Sequence, residues 1–177
     1  MKKLYVTRHG LTAFNAEERV CGATDIPLTE TGLLQAQEMA RQAAAFGDIE
    51  RIIASPMIRA QQTAQAVADS LRLPIETDIR LREWDYGTFE GKSRLTSGFQ
   101  EAKAEFGVKM PGGESVFQVV HRAYSLIEEL KNTDKNTNLV CHGGVARVID
   151  SYFHDMTVDR FMHFFMGNCE IKVYEFE

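Results

Sequence analysis

No run of apolar residues in this sequence approaches the roughly 20 needed to cross a bilayer, so no membrane partner is expected. Cysteine is scarce. Cys21, Cys141 and Cys169 are odd in number and lack CxxC spacing, which argues against a disulfide scaffold or a structural zinc site. Positive charge is in deficit: 20 Lys and Arg against 25 Asp and Glu leave a net −5, unsuited to a broad nucleic-acid-binding face. An acidic chain that binds an anion must instead gather a local cluster of cations. Met1-Lys2-Lys3 is basic, but only Leu4-Tyr5-Val6 follows before Thr7-Arg8-His9, too little for a signal-peptide core, so a reducing cytoplasm is expected. Internal repeats, low-complexity tracts and linkers are also missing. The expectation is therefore one domain over residues 1–177, long enough to bury a proper core.

What is present is an alternation of strand and helix patterns, the mark of an α/β fold with a largely parallel sheet. Lys3 to Thr7 reads as a first strand. The polar stretch from Arg8 to Leu28 is long for a loop, and such loops are often functional. Thr29 can cap a helix to about Phe46, with Leu33, Leu34, Ala36, Met39, Ala40 and Ala43 as its apolar stripe and Gly47 as its stop. Arg51–Ala54 is a short buried strand. Ser55-Pro56 then has the form of an N-cap followed by proline at the first helical position, opening a helix to about Leu71. Pro74–Thr77 predicts a strand, and residues 97–106 a modest helix. A stronger helix runs from Ser115 to Leu130 on Val116, Val119, Val120, Ala123, Ile127 and Leu130. Asn138–Cys141 predicts a strand, Gly143 to about His154 a helix, and Glu170–Phe176 a last strand.

Three of these strands end alike. One runs into Arg8-His9-Gly10, one into Ser55-Pro56-Met57-Ile58-Arg59, and one into His142-Gly143-Gly144. In an open parallel sheet, ligands bind at the carboxyl ends of strands, so two arginines and two histidines remote in sequence are expected in one crevice. Their chemistry suits phosphate, because guanidinium forks match its oxygens in pairs. A helix beginning at Gly143 would add backbone N–H donors. One histidine, neutral, can attack phosphorus, and the other, as a cation, can stabilise the transition state. A leaving alkoxide needs a proton donor. Glu83, in the irregular segment Leu81–Gly87, is the candidate, with Asp85 and Glu90 as nearby competitors. Cys141 is a conceivable thiol nucleophile, but a buried strand thiol is usually inert. His121, His154 and His163 read as structural.

At this point a resemblance covers nearly the whole chain, in order. Arg8-His9-Gly10-Leu11-Thr12 with Asn15 is similar to an RHGxTxxN signature. Ala54-Ser55-Pro56 with Arg59-Ala60, Leu81-Arg82-Glu83 with Gly87 and Glu90-Gly91, Pro111–Ser115 and Cys141-His142-Gly143-Gly144 extend it. The pattern resembles the histidine phosphatase superfamily, in its phosphoglycerate-mutase-like branch. The resemblance implies a three-layer α/β/α fold with a mostly parallel central sheet and a transient phosphohistidine at His9. It also implies a phosphate pocket of Arg8, Arg59 and His142 assisted by Asn15 and Thr12, with Glu83 as acid and then base. No metal and no organic cofactor are expected, and the partner is a small phosphorylated metabolite.

Within that family the residues after the acid separate two activities. Mutases carry basic residues there, whereas Trp84-Asp85 offers an aromatic face and a negative charge. The chain also lacks room for the long insertions with which mutases close the site. A phosphatase is the expectation, with a mutase or an inactive phospho-ligand-binding relative as alternatives. General resemblance leans to the compact bacterial members assigned as α-ribazole phosphatases. The excursion over about residues 92–113, with Lys92, Arg94, Lys103, Lys109, Phe99 and Phe106, reads as a small lid that selects a sugar or nucleoside phosphate.

Overall fold

The alternating pattern resolves, in a computed structural model describing residues 1–176, into a five-stranded sheet with helices on both faces. Strands β1 (Lys3–Arg8), β2 (Arg51–Ala54), β3 (Ile75–Thr77), β4 (Thr137–Cys141) and β5 (Ile171–Glu175) lie in the order β3-β2-β4-β1-β5. The first four are parallel where they pair, and β5 runs antiparallel along β1. The helices are α1 (Ala13–Ala16), α2 (Glu30–Phe46), α3 (Ile58–Leu71), α4 (Phe99–Ala104), α5 (Val116–Lys131), α6 (Gly143–Phe153) and α7 (Val158–His163).

The period-two alternation of strands divides the core into two layers. Tyr5, Ile52, Ala54 and Val140 point toward α2 and α3, packing on Ala36, Met39, Ala43 and Val67. Leu4, Val6, Ile53, Leu139 and Cys141 point the other way, against Leu126 and Ile127 of α5 and Val145 and Ile149 of α6. Fully burying one such Leu or Ile stabilises the fold by about 1.5–3 kcal/mol, so each layer is firmly held. Both layers converge on the carboxyl ends of β1, β2 and β4, where the chain leaves the sheet.

Three local expectations are corrected. The stripe of α2 buries Gly32, Ala36, Met39, Ala40 and Ala43, whereas Leu33 and Leu34 are 41% and 65% exposed. Small residues win the inner face because α2 lies close to the chain after β1: a Cβ on Gly32 would come within 2.2 Å of the Leu11 carbonyl oxygen. Helix α3 begins at Ile58, two residues beyond the expected start, and Met57 before it offers no side-chain cap. Ser55 is instead turned into the protein. The loop from Arg8 to Leu28 contains the single-turn helix α1, capped reciprocally by Thr12 and Asn15.

Candidate active site

Strand β4 lies between β1 and β2 in the sheet, so their carboxyl ends sit side by side. Arg8 pairs with Cys141 and Ala54 with Val140, and the ladder continues through His9 N to Cys141 O (3.0 Å) and Ser55 N to Val140 O (2.9 Å). His9, Ser55 and His142 thereby emerge next to one another. The rings of His9 and His142 are 5.1 Å apart.

His9 is buried, and its Nδ1 lies 2.7 Å from the Gly10 carbonyl oxygen. A carbonyl can only accept, so Nδ1 carries the proton and Nε2 keeps its lone pair. Burial depresses the imidazole pKa well below the ordinary value, and the charges of Arg59 and Arg8 depress it further. The ring is a neutral base with its nucleophilic nitrogen free. Its backbone is fixed by Gly10 N on Thr63 Oγ1 (3.1 Å) and by Asn168 Nδ2 on the His9 carbonyl (3.0 Å).

Behind it, His142 is fully buried with both ring nitrogens engaged. Nδ1 accepts from Arg59 Nε at 3.2 Å, and Nε2 donates to Ser55 Oγ at 2.7 Å. Burial first, then Arg59, hold it well below its usual pKa. The expectation of a cationic second histidine is therefore corrected: beside a guanidinium in a dry interior, a second positive charge is disfavoured. Arg59 also donates from Nη1 to Thr24 O (2.8 Å) and from Nη2 to Gly22 O (2.7 Å). Arg59 and His142 back His9 and do not line the cavity in front of it.

That cavity, about 130 Å³, is bounded by Arg8, His9, Asn15, Glu83 and Gly143 among the expected residues. Arg8 Nη1 donates to Met166 O at 2.5 Å, while its buried Nε has no partner among the described residues. Asn15 Oδ1 accepts from Thr12 Oγ1 (3.0 Å) and Asn168 Nδ2 (3.3 Å), which leaves the Asn15 amide nitrogen as a donor still to be used. Thr12 is fully buried beneath it as the cap of α1.

Glu83 faces the cavity from the opposite wall. Its carboxylate accepts from Trp84 N (2.8 Å), Gly144 N (2.9 Å) and Val145 N (3.2 Å), so the α6 N-terminal donors expected for a phosphate serve mainly this carboxylate. Glycine is required at 144, where a Cβ would sit 2.6 Å from Glu83 Oε1. Arg122 of α5 grips the carbonyls of Arg80, Arg82 and Glu83 at 2.7, 2.6 and 3.1 Å and so orients the segment. Asp85 instead receives the Gly87 N–H (2.9 Å), and Glu90 holds a neighbouring loop. Trp84 is buried with Nε1 on Glu114 O (2.9 Å), so neither Trp84 nor Asp85 presents a face to the cavity. Sequence reasoning missed Ser55, Thr63, Asn168, Arg122 and Arg147. Among the described residues, no group of three or more His, Cys, Asp or Glu side chains could hold a metal ion.

Over residues 4–177 the chain matches the histidine phosphatase superfamily, branch 1. It belongs to that superfamily. This histidine phosphatase chain is 34% identical over 152 residues to a probable phosphoglycerate mutase of Yersinia pestis (strain Pestoides F), covering 81% of this chain and 70% of that one. A solved phosphoserine phosphatase from Entamoeba histolytica, in complex with 3-phosphoglyceric acid, superposes with a TM-score of 0.85 at 29% identity. It covers 99% of this chain and 91% of its own. A mycobacterial glucosyl-3-phosphoglycerate phosphatase gives 0.83 at 28%, with 97% and 89% covered. At 22% identity, a putative α-ribazole-5′-P phosphatase from Escherichia coli shares the fold, with a TM-score of 0.84 and coverages of 97% and 89%.

Proposed function

We propose that this histidine phosphatase is a phosphomonoesterase that hydrolyses a small phosphorylated metabolite through a phosphohistidine at His9, without a metal ion. The observation that carries the reading is the Nδ1–Gly10 hydrogen bond, which leaves Nε2 as the nucleophile in a cavity shared with Arg8 and Glu83. In the first step Nε2 bonds to phosphorus, the ester P–O bond breaks, and Glu83 gives its proton to the departing oxygen. In the second, Glu83 takes a proton from water as the oxygen attacks phosphorus, and the N–P bond breaks to release phosphate. Arg8, the Asn15 amide and the Gly143 backbone, which line that cavity, bind the phosphoryl oxygens in this reading. Arg59 keeps two further N–H groups, beyond those given to Gly22, Thr24 and His142, for a phosphoryl group on His9. These fixed positive charges supply what Mg²⁺ supplies elsewhere, which is the support for metal independence.

The alternative activity, phosphoryl recycling by a mutase, draws on the Yersinia relative's name, whereas the solved relatives from Entamoeba histolytica (29% identity) and mycobacteria (28%) carry phosphatase names. The test of the main reading is a rapid-quench reaction in the presence of a chelator. Wild type should accumulate an acid-labile, alkali-stable phosphohistidine, and His9→Ala should lose turnover by several orders of magnitude. More than about a tenth of wild-type rate in His9→Ala, or a rate restored only by added Mg²⁺ or Zn²⁺, would overturn it.

A further inference from the structure

Beyond the phosphate-binding end, the same cavity is lined by three more cations: Arg94, Lys103 of α4, and Arg147 one turn into α6. None of the three is ion-paired to a carboxylate among the described residues. Arg147 makes one hydrogen bond, Nη2 on Phe164 O at 3.1 Å, and lies over the Phe161 ring at 5.3 Å, while its buried Nε and Nη1 have no hydrogen-bond partner among the described residues. Leaving two buried guanidinium nitrogens unsatisfied is costly unless a ligand supplies the acceptors. Arg94 links the three to the phosphate-binding end, since it acts on Arg8 as well as on Lys103, and Lys103 is lowered to about 8 first by burial and then by Arg147 and Arg94.

We infer that Arg94, Lys103 and Arg147 form a second anion subsite, and that the substrate is a short phosphomonoester bearing a carboxylate at its far end. The inference rests on the phosphomonoesterase reading for the identity of the first anion. A carboxylate is favoured over a second phosphate because the cavity is about 130 Å³, below the roughly 300–1,000 Å³ of ordinary small-molecule pockets, and phenylalanines border it. Half-buried ammonium and guanidinium groups pair well with a planar monoanion of that size. This narrows the sugar or nucleoside phosphate expected from the lid composition.

The test compares matched esters. O-Phosphoserine is set against phosphoethanolamine, and 3-phosphoglycerate against glycerol 3-phosphate, with propane-1,3-diol bisphosphate as the two-phosphate arm. One charge-assisted pair predicts a kcat/KM preference of about 10- to 100-fold for each carboxylated member. Lys103→Gln should shrink that ratio at least fivefold, by about one lost pair, chiefly through KM, and Lys103→Arg should keep it. A ratio near one, a ratio untouched by Lys103→Gln, or a bisphosphate preferred over both carboxylated esters would overturn the inference. Calorimetric binding of the same esters to His9→Ala protein reads the preference as a ratio of Kd values. If no ester is turned over, the phosphomonoesterase reading fails, while the calorimetric ratio still decides for or against the subsite.

Discussion

His9 and His142 are held neutral for a shared reason, burial beside Arg59, and this has a thermodynamic consequence. Each folded-state pKa lies below the unfolded value near 6.5. Below that pH the unfolded chain binds protons that the folded chain refuses, so stability rises with pH and is lost as pH falls. The slope is at most about 1.4 kcal/mol per pH unit for each ring, and it begins near pH 6.5. The carboxylates with lowered pKa, Asp48, Glu76, Asp78 and Glu114, act in a more acidic window, so the histidines dominate between about pH 6.5 and 5. Urea unfolding over that range should show a falling free energy, and the fall should be smaller in His142→Asn. A flat profile in wild type would mean that the rings accept protons in place. Arg8, His9, Arg59 and Glu83 stood out in sequence because Arg8-His9-Gly10 closes a strand, Arg59 follows Ser55-Pro56 after the next, and Glu83 lies in a glycine-punctuated irregular segment. Ser55, Thr63 and Asn168 were not, since a lone hydroxyl or amide gives no sign of which way it will point.

At the level of elements, the loop between α1 and α2 depends on one carboxylate. Glu90 accepts from Gly22 N (3.0 Å), Ala23 N (2.8 Å), Thr24 N (3.3 Å), Thr24 Oγ1 (2.8 Å) and Tyr86 N (3.1 Å). The same loop presents the Gly22 and Thr24 carbonyls that fix Arg59. Glu90 is thus a positioning residue acting through Arg59. Glu90→Gln keeps one carbonyl but turns an NH₂ toward backbone donors, so two or more of these bonds should fail. The expected result is destabilisation of about 1–3 kcal/mol by denaturant melt. A roughly 10- to 100-fold loss in kcat with a smaller change in KM should accompany it, because in the proposed mechanism the guanidinium serves the transition state. Full activity in a destabilised variant would reduce Glu90 to a structural clamp. Element limits were readable where caps are local, as with Thr29 and Gly47 around α2. They failed at α3, where Ser55 serves a histidine 87 residues away, and at α1 and α7, which are too short for a 3.6-residue period to register.

The whole molecule decides between hydrolysis and phosphoryl recycling. A mutase must shield its phosphohistidine from water until a second hydroxyl arrives, which calls for an extensive cover over the cavity. Here the covering segment begins after Gly91, is tied to the rest by Val20 N on Lys92 O (2.8 Å) and Arg94 N on Glu18 O (3.0 Å), and carries only the six-residue α4. We propose it as a small lid. Phe99 anchors it by packing on Tyr86 and Phe89, and Gln100 and Lys103 reach the cavity. The reading no longer leans on Trp84-Asp85, since the structure turns both away from the cavity. Hydrolysis is favoured instead by the shortness of that cover, whose one helix is the six-residue α4. With 3-phosphoglycerate and a catalytic amount of 2,3-bisphosphoglycerate, ³¹P NMR should show inorganic phosphate growing well ahead of 2-phosphoglycerate. Water wins because it is present at far higher concentration than the product hydroxyl, and no extended cover holds it back. If 2-phosphoglycerate instead reached equilibrium with 3-phosphoglycerate before measurable phosphate release, the short lid would have to exclude water as well as a long one, and the mutase reading would replace the phosphatase one.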